Sequence, residues 1–466
     1  RLKIPTPLSR KIPFLRWWIA ALLVGAAVLN YIDRQSLSAL APTIQASLGF
    51  DDRDYANLVN LFLLAYTLSY LVVGGITDRL GTRAAMGWFV GFWSVANALT
   101  GFAGGLRSLG AFRFSLGLSE AGVWPAAAKA VSEWFPARER ALAIGLYTMG
   151  ATLGATLAPY VVIRLAGFDY ATHWPALAGW LGQDAGWRLA FMVTGLAGFL
   201  WLGCWLIFYR PPENSPLLMD QERELILAGR DEGETPDAAV WTLRQVLGSR
   251  AVWALLLARL VTDPVWYFFQ FWFAKYLNSA RGLGQSQLTV TWIVYAAAGV
   301  GSLAGGWWSG RLIRRGQPVV ASRLWVMLGC ALLMPVSLFI ARAPSLGWAL
   351  VLAAVAVFAA LAWLINLSAL VNDLIPRRSL GVAFSVIAAG STVGGMVMNT
   401  LVGVLVSSPS ATMTLGFLDR AVHAVSGGLL QAIQGSGYPA AFLVMAFLHP
   451  LALLWLWPLR RAKARA

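Results

Sequence analysis

Apolar stretches long enough to cross a membrane recur along almost the whole chain. An α-helix rises about 1.5 Å per residue, so about 20 apolar residues span the ~30 Å hydrocarbon core of a bilayer. Only 12% of the residues are charged, well below the roughly 25% of soluble domains, and 58% are hydrophobic. The composition excludes an ordinary soluble domain. The sequence predicts an all-α membrane protein whose twelve transmembrane helices lie near residues 16–40, 56–77, 85–105, 108–132, 140–165, 188–209, 251–277, 288–310, 320–341, 346–372, 380–407 and 438–459.

One long hydrophilic connection divides the twelve stretches into two sets of six. It contains the charged run Arg230-Asp231-Glu232-Gly233-Glu234 between the sixth and seventh stretches. We therefore predict a six-helix bundle over residues 1–210, a linker over 211–250 and a second six-helix bundle over 251–466. The equal number of stretches on each side predicts that the two bundles are pseudo-symmetric.

Corresponding loops in the two halves carry related sequences. The loop after the second stretch reads Gly74-Gly75-Ile76-Thr77-Asp78-Arg79-Leu80-Gly81-Thr82-Arg83, and the loop after the eighth reads Gly305-Gly306-Trp307-Trp308-Ser309-Gly310-Arg311-Leu312-Ile313-Arg314-Arg315. Glycine allows helices to approach closely, and the charges of Asp78, Arg79 and Arg83 can latch neighbouring helix ends. We expect these three residues to form a gating or structural element. The second copy is degraded, because Gly310 replaces the acid.

Lys and Arg residues mark one side of the predicted protein. If the N-terminus lies inside the cell, most of them fall in cytoplasmic ends and loops, as the positive-inside rule requires. We therefore expect a multi-pass protein of the bacterial inner membrane with both termini in the cytoplasm, working as a monomer in the lipid bilayer. The +15 net charge and the pI near 10.3 do not indicate a nucleic-acid partner, because the basic residues are dispersed at helix ends and form no single stripe.

Four ionisable residues lie inside apolar stretches of the first half. Asp33 and Arg34 belong to the first stretch, and Arg113 and Glu120 belong to the fourth. A charge at hydrocarbon depth costs several kcal/mol unless it is paired or lines a wet cavity, so such residues are functional candidates. Arg113 and Glu120 lie on one helix face about two turns apart, with Glu120 roughly 10 Å deeper. The four groups predict a path for an anion and for protons, with Asp33 and Glu120 as the proton-coupling acids.

Several motifs of the chain resemble those of the major facilitator superfamily, whose signature loop is matched by Gly74, Asp78, Arg79, Gly81 and Arg83. Within that superfamily the chain is similar to the anion:cation symporters. The first half matches them at Asn30-Tyr31-Ile32-Asp33-Arg34, Arg113-Phe114-Ser115-Leu116-Gly117-Leu118-Ser119-Glu120-Ala121 and Glu133-Trp134-Phe135-Pro136, and the second half resembles the hexuronate and sugar-acid branch at Asp263-Pro264-Val265-Trp266. The resemblance implies a proton-coupled symporter that imports a sugar acid, such as a hexuronate or an aldonate, by alternating access.

Arg34 is the candidate partner for the substrate carboxylate, because a guanidinium stays charged and offers two parallel donors. Tyr31 lies three residues earlier on the same helix face and can donate to a substrate hydroxyl. Tyr66 matches by position a tyrosine that contacts substrate in the resembled family. Arg113 supplies a second guanidinium, at a depth similar to that of Asp33 when residues are counted from the helix ends.

The second half supplies further candidates. Possible contacts to sugar hydroxyls are Trp266, Tyr267, Gln270, Asn366 and Ser368. Arg259 and Asp263 stand four residues apart on one helix face, so we expect them to neutralise each other. We interpret this pair as a gating or structural element.

Motifs of other function classes are missing from the sequence. It contains no Gly-x-x-x-x-Gly-Lys-Ser/Thr loop, no metal-ligand cluster and no nucleophile elbow, so we expect no cofactor, no metal and no enzyme activity. Open alternatives are a symporter for another organic anion, such as tartrate or a phthalate-like carboxylate, and an organophosphate:phosphate exchanger. From other classes of protein, a non-transporting nutrient sensor and a membrane enzyme also stay open. An exchanger would need basic residues from both halves, and Arg259 is available only if Asp263 leaves it free. Residues 408–437 are expected to form an amphipathic helix on the membrane surface.

Overall fold

The structure is a computed structural model that describes residues 11–182, 185–228, 243–375, 380–407 and 435–461. These residues are almost entirely helical, and none of the described ranges contains a β-sheet. The first half comprises α1 (Leu15–Ala39), α2 (Ala41–Leu48), α3 (Asp52–Tyr70), α4 (Val73–Leu80), α5 (Thr82–Thr100), α6 (Leu106–Glu120), α7 (Val123–Trp134), α8 (Ala137–Ala166), α9 (Tyr170–His173), α10 (Pro175–Leu181) and α11 (Ala185–Phe208). The connection contains α12 (Asp220–Ala228) and α13 (Leu243–Gly248), and the second half comprises α14 (Arg250–Phe271), α15 (Phe273–Arg281), α16 (Trp292–Arg314), α17 (Val319–Leu333), α18 (Leu346–Leu374), α19 (Leu380–Val406) and α20 (Gly437–Leu456). The predicted all-α fold is confirmed.

The predicted membrane spans correspond to these helices. Nine of the helices that the structure describes are long and apolar enough to cross a membrane, and the bent pair α3 and α4 makes a tenth span, with a bend of 52°. The third and fourth predicted stretches correspond to α5 and to the pair α6 and α7. Tryptophan, glycine and asparagine residues lower the mean hydropathy of α5. Helices α6 and α7 are short, at 15 and 12 residues, because a break at Ala121 and Gly122 separates them.

Close glycine seams repeat in the two halves. In the first half, Gly150 and Gly154 of α8 face α1, and a Cβ added at Gly150 would lie 2.8 Å from a backbone oxygen of α1. In the second half, Gly390 and Gly394 of α19 face α14 in the same way, and a Cβ at Gly390 would lie 2.9 Å from a backbone oxygen of α14. Only glycine permits this helix spacing. Since α8 and α19 are the fifth spans of their sets, the seams support a pseudo-symmetric repeat.

Hydrogen bonds join the two halves on one side of the protein. We call the end at which α1 begins the linker side, and the opposite end the distal side. The joining hydrogen bonds include Tyr55 to the Phe271 carbonyl (2.6 Å), Asn60 to Thr400 (2.9 Å) and Thr67 to Thr392 (2.6 Å). Lys275 of α15 also contacts Asp52 of α3 and Gln45 of α2 on the distal side. These contacts hold the halves together from the distal side to the middle of the helices.

The connection is anchored to the start of α1. Glu222 of α12 accepts hydrogen bonds from the backbone amides of Leu15 and Arg16 at 3.0 and 3.3 Å, and from Arg16 Nη1 at 2.7 Å. Arg16 Nε also donates to Glu139 of α8 at 2.9 Å. A carboxylate at a helix N-terminus satisfies free N–H groups and complements the helix dipole. The cap therefore ties the connection to the linker side of the first half.

Two sequence predictions concern segments that the structure describes only in part. The bundle boundaries at residues 211 and 250 stay a prediction, although α12 and α13 lie between them. The surface helix that the sequence predicts over residues 408–437 falls outside the described residues, apart from 435–437.

Candidate functional site in the membrane interior

Arg34 and Glu120 form a buried ion pair between α1 and α6. Arg34 Nε and Nη2 donate to the same oxygen of Glu120, Oε2, at 3.0 and 2.8 Å, and Arg34 Nη2 lies 3.3 Å from Asn30 Oδ1. Glu120 is fully buried and Arg34 is 9% exposed. Glu120 is the last residue of α6, and α7 begins three residues later at Val123. The fold thus brings together the predicted anion site and one of the predicted proton sites.

Three aromatic rings surround the Arg34 guanidinium. Its Cζ lies 4.9 Å from the ring centres of Tyr31 and Tyr66 and 5.4 Å from that of Phe62. Tyr66 packs edge-to-face against Tyr70, with ring centres 5.0 Å apart. Rings at these distances stabilise a cation. The predicted contacts Tyr31 and Tyr66 therefore lie beside Arg34. The sequence analysis did not name Phe62, although it precedes Tyr66 by four residues and so lies on the same face of α3.

Asp33 lies in a separate cluster of buried polar side chains between α1, α5 and α11. Asp33 Oδ1 accepts a hydrogen bond from Asn97 Nδ2 at 2.7 Å, and Asp33 Oδ2 accepts one from Trp93 Nε1 at 3.0 Å. Asn97 Nδ2 also lies 2.8 Å from Thr194 Oγ1. Trp93 and Asn97 are four residues apart, so one face of α5 supplies both donors. The sequence did not point to them, although an asparagine inside an apolar stretch is a usable signal.

Arg113 is buried, with 2% of its surface exposed, but it is not ion-paired with Asp33. Among the described residues, no carboxylate oxygen lies within 4.0 Å of an Arg113 nitrogen. The Nε and Nη2 atoms of Arg113 have no hydrogen-bond partner among the residues that the structure describes. The Cζ atom of Arg113 lies 4.9 Å from the ring centre of Phe191. Glu120 Oε1 is also without a described partner. Arg113 therefore has donors available two turns from Glu120 on the same helix.

Arg259 and Asp263 form an ion pair in the second half, as their spacing predicts. Arg259 Nη1 donates to Asp263 Oδ2 at 3.1 Å, and Arg259 Nη2 donates to Ser368 Oγ at 2.6 Å. Ser368, a predicted sugar contact, is therefore engaged by Arg259. Asn366 is buried and donates to the backbone carbonyl of Gly305 at 3.1 Å. In this structure Asn366 thus ties α18 to α16, and its contact with a substrate stays a prediction.

Trp266, Tyr267 and Gln270 lie within little more than one turn of α14. Trp266 and Tyr267 are partly exposed, whereas Gln270 is 2% exposed and its Oε1 has no hydrogen-bond partner among the described residues. Trp266 packs edge-to-face against Tyr295, with ring centres 6.2 Å apart. Tyr295 in turn donates to Gln35 Oε1 of α1 at 3.0 Å. Trp266 therefore lies near the contact between the two halves, where an interior substrate would meet both.

The predicted gating element Asp78, Arg79 and Arg83 lies where α4 meets α5. Asp78 accepts a hydrogen bond from Lys129 Nζ of α7 at 2.7 Å, so its partner is on another helix and is not the neighbouring Arg79, which is exposed. Arg83 Nη2 donates to the backbone oxygen of Leu206 at 2.5 Å. These contacts fasten α4 to α7 and α5 to α11 on the linker side. Their role in gating stays a prediction.

Comparisons with known proteins agree with this fold. The family model described as Major Facilitator Superfamily matches residues 23–399. The chain is 30% identical over 334 residues to the hexuronate transporter of Escherichia coli strain K12, covering 70% of this chain and 72% of that protein. It is 31% identical over 299 residues to the galacturonate transporter of Dickeya chrysanthemi, covering 64% and 82%. It is 27% identical over 437 residues to the D-galactonate transporter of Escherichia coli O6:H1, covering 90% and 94%.

Solved transporter structures share the architecture. A bacterial homolog of the human lysosomal transporter Spinster, in an inward-facing and unoccupied conformation, matches with a TM-score of 0.76 at 22% identity, covering 97% of this chain and 98% of that chain. A D-xylose–proton symporter matches with a TM-score of 0.70 at 14% identity, covering 96% and 99%. The resemblance seen in the motifs is confirmed: the chain belongs to the Major Facilitator Superfamily, and its relatives are membrane transporters, not enzymes.

Proposed function

We propose that this protein is a proton-coupled symporter that imports a sugar acid, such as a hexuronate or an aldonate, into a bacterial cytoplasm. Its similarity to hexuronate, galacturonate and D-galactonate transporters supports the substrate class, since each of these sugars carries a carboxylate. The excess of Lys and Arg on the linker side supports a cytoplasmic location for that side and for both termini in the inner membrane.

The buried ion pair of Arg34 and Glu120 carries the proposal. Moving two charges out of water is costly, so an ion pair inside a membrane protein is a functional candidate. In this structure Arg34 Nε and Nη2 both donate to one oxygen of Glu120, at 3.0 and 2.8 Å. Protonation of Glu120 removes its negative charge and frees the guanidinium for the substrate carboxylate. Proton binding and substrate binding thereby favour each other, which is the requirement for symport.

Asp33 supplies the second proton-binding carboxyl in this proposal. Its described donors, Trp93 and Asn97, are neutral, so Asp33 can gain a proton without breaking the ion pair of Arg34. Arg113 is buried with donors available and is the cation toward which either acid turns during the cycle. The two acids and two guanidiniums thus exchange partners as the substrate enters and leaves.

Residues of the second half complete the substrate site. Trp266, Tyr267 and Gln270 offer aromatic and amide groups to sugar hydroxyls, and the buried unpartnered Oε1 of Gln270 supports that role. Arg259 is engaged by Asp263 and by Ser368. This engagement disfavours an organophosphate:phosphate exchanger, which needs free cations from both halves.

Alternating access supplies the transport cycle. The distal contacts of Lys275 with Asp52 and of Asn60 with Thr400 support a state that is closed on the distal side. We propose that the bundles 1–210 and 251–466, joined by the linker 211–250, rock against each other around the interior site. The distal contacts then separate when the site opens to the outside.

A binding panel followed by a transport assay tests the proposal. A ligand that binds the native state raises its unfolding temperature, so we expect glucuronate, galacturonate or galactonate to stabilise the purified protein. Proteoliposomes with an imposed inward proton gradient are expected to accumulate the stabilising sugar acid, and a protonophore is expected to abolish accumulation. If only phthalate, tartrate or glycerol 3-phosphate stabilises the protein, the proposed substrate class is wrong. Accumulation that survives the protonophore would refute proton coupling.

A further inference from the structure

The second copy of the glycine–arginine loop differs from the first in its charge balance. In the first copy, Asp78 accepts a hydrogen bond from Lys129 at 2.7 Å. In the second copy, Gly310 stands at the position of that acid. Three exposed arginines follow, namely Arg311, Arg314 and Arg315. Among the described residues, no carboxylate oxygen lies within 4.0 Å of a nitrogen of these side chains.

Arg314 folds back over the position of the missing acid. A Cβ built on Gly310 would lie 3.4 Å from Arg314 Nη1, which is ordinary van der Waals contact. A carboxylate at position 310 would therefore lie beside this guanidinium. Glycine leaves Arg314 without such a partner and exposed.

Two more arginines lie at the same end of the protein. A short helical turn, Trp457–Arg461, follows α20 and carries Arg460 and Arg461, which also lack a carboxylate within 4.0 Å among the described residues. Trp457 packs edge-to-face against Trp325 of α17, with ring centres 5.1 Å apart. Helix α17 also packs against α16, which carries the first arginine group. The two groups therefore flank the linker-side end of α17.

Tryptophans lie next to both arginine groups. Arg311 Cζ lies 5.4 Å from the ring centre of Trp307, one turn earlier in α16, and Arg460 Cζ lies 5.1 Å from that of Trp457. Trp307 and Trp325 are 55% and 51% exposed. Tryptophan prefers the boundary between hydrocarbon and headgroups, and arginine placed beyond it reaches the phosphate plane. The order of tryptophan and then arginine thus fits a lipid surface.

We propose that Arg311, Arg314, Arg315, Arg460 and Arg461, here called the arginine patch, bind the phosphate of an anionic phospholipid. Guanidinium groups bind phosphate oxygens through charge-assisted hydrogen bonds in parallel. The neighbouring tryptophans contact the glycerol and acyl region, which a soluble phosphate compound lacks. The first copy of the loop is not part of the site, because its acid is retained and paired with a lysine.

Lipid retention measured by native mass spectrometry tests this proposal. The full chain is expected to retain at least fivefold more phosphatidylglycerol than phosphatidylethanolamine when each lipid is added separately. R311Q/R314Q/R315Q is expected to remove this excess. Gly310→Asp restores the acid of the first copy beside Arg314 and is expected to reduce the excess at least twofold. R107Q/R164Q, which removes two exposed arginines of the first half, is the matched control and is expected to leave the excess unchanged.

Each outcome supports or overturns the lipid site. Equal retention by the unmodified protein, by R311Q/R314Q/R315Q and by Gly310→Asp would overturn it. Inorganic phosphate or glycerol 3-phosphate in excess is expected to leave the lipid bound, and displacement by either would assign the patch to a soluble anion. Thermal unfolding checks that each variant is folded. If R311Q/R314Q/R315Q does not fold, the comparison of Gly310→Asp with R107Q/R164Q decides.

Discussion

Arg34 donates two hydrogen bonds to a single oxygen of Glu120, at 3.0 and 2.8 Å, while the other oxygen of Glu120 has no partner among the described residues. The rings of Tyr31 and Tyr66 lie 4.9 Å from the Cζ of the same guanidinium. In the proposed cycle, a substrate carboxylate takes the place of Glu120 once a proton neutralises that acid. Substrate binding and proton coupling can therefore be tested separately at these two residues.

Glu120→Gln is expected to abolish uphill uptake and to spare exchange. Glutamine mimics the protonated acid, so the variant can bind substrate but cannot release a proton inside. One proton per cycle contributes ~2.3 kcal/mol per 100 mV, which sustains roughly 50-fold accumulation. We expect this ratio to fall to about one, while exchange of labelled for unlabelled substrate across proteoliposomes keeps a rate of the same order.

The Glu120→Gln experiment has a matched control and a result that would contradict the prediction. Glu224→Gln on the exposed face of α12 is expected to leave both uptake and exchange unchanged. Accumulation by Glu120→Gln under an imposed pH difference would show that Glu120 is not the coupling site. The proton role would then pass to Asp33 alone or to Asp263.

Arg34→Lys is expected to weaken substrate binding by about tenfold to a hundredfold. Lysine keeps the charge but loses the planar fork, and a hydrogen bond to a charged group contributes about 1.5–3 kcal/mol. Equilibrium binding of labelled substrate to the purified variant measures the change, with Arg107→Lys on the exposed surface of the first half as the matched control. An unchanged affinity would show that Arg34 does not bind the substrate carboxylate. Arg113 would then be the next candidate for this role.

Lys275→Met is expected to favour opening of the distal side. Lys275 is 4% exposed, contacts Asp52 and Gln45 across the two halves and lies 4.8 Å from the ring centre of Tyr55. Removing one partner of a buried charged pair commonly costs more than the ~1.4 kcal/mol that corresponds to a tenfold shift. We therefore expect the ratio of distal-open to distal-closed protein to rise by about tenfold.

Spin labels on the two distal ends report this ratio. Labels attached to Arg107→Cys and Ser286→Cys, in a background without Cys204 and Cys330, are expected to show a larger long-distance population in Lys275→Met. Lys11→Met removes another Lys–Asp contact, on the linker side, and is expected to leave the distal distances unchanged. Identical distance distributions in all three proteins would remove Lys275 from the distal contact.

Single-cysteine labelling tests the orientation. Ser249→Cys on the linker side and Ser286→Cys on the distal side, each in a background without Cys204 and Cys330, are expected to respond oppositely to an impermeant thiol reagent added outside intact cells. Ser286→Cys is expected to react and Ser249→Cys to react only after the membrane is permeabilised. The reverse pattern would place the linker outside the cytoplasm.

Local sequence was sufficient for part of this protein. The bilayer sets the length of an apolar span, so the spans could be predicted from the sequence alone. The hydrophilic connection and the loop around Asp78 could also be predicted without the tertiary structure. The same reasoning singled out Asp33, Arg34, Arg113 and Glu120 as candidates, because a charge inside an apolar stretch is costly wherever its helix packs. The i,i+4 spacing likewise predicted that Arg259 would meet Asp263.

Tertiary structure alone decided the partners of these residues. Glu120 meets Arg34 across 86 positions of sequence, and Asp33 takes its donors from α5, 60 and 64 positions away. Asn366, predicted as a sugar contact, donates to a backbone carbonyl of α16, 61 positions away. Which side chains meet depends on the rotation of each helix about its axis and on its register against its neighbours. Both are set by close packing over the whole bundle, such as the glycine seams, and no single stretch of sequence contains them.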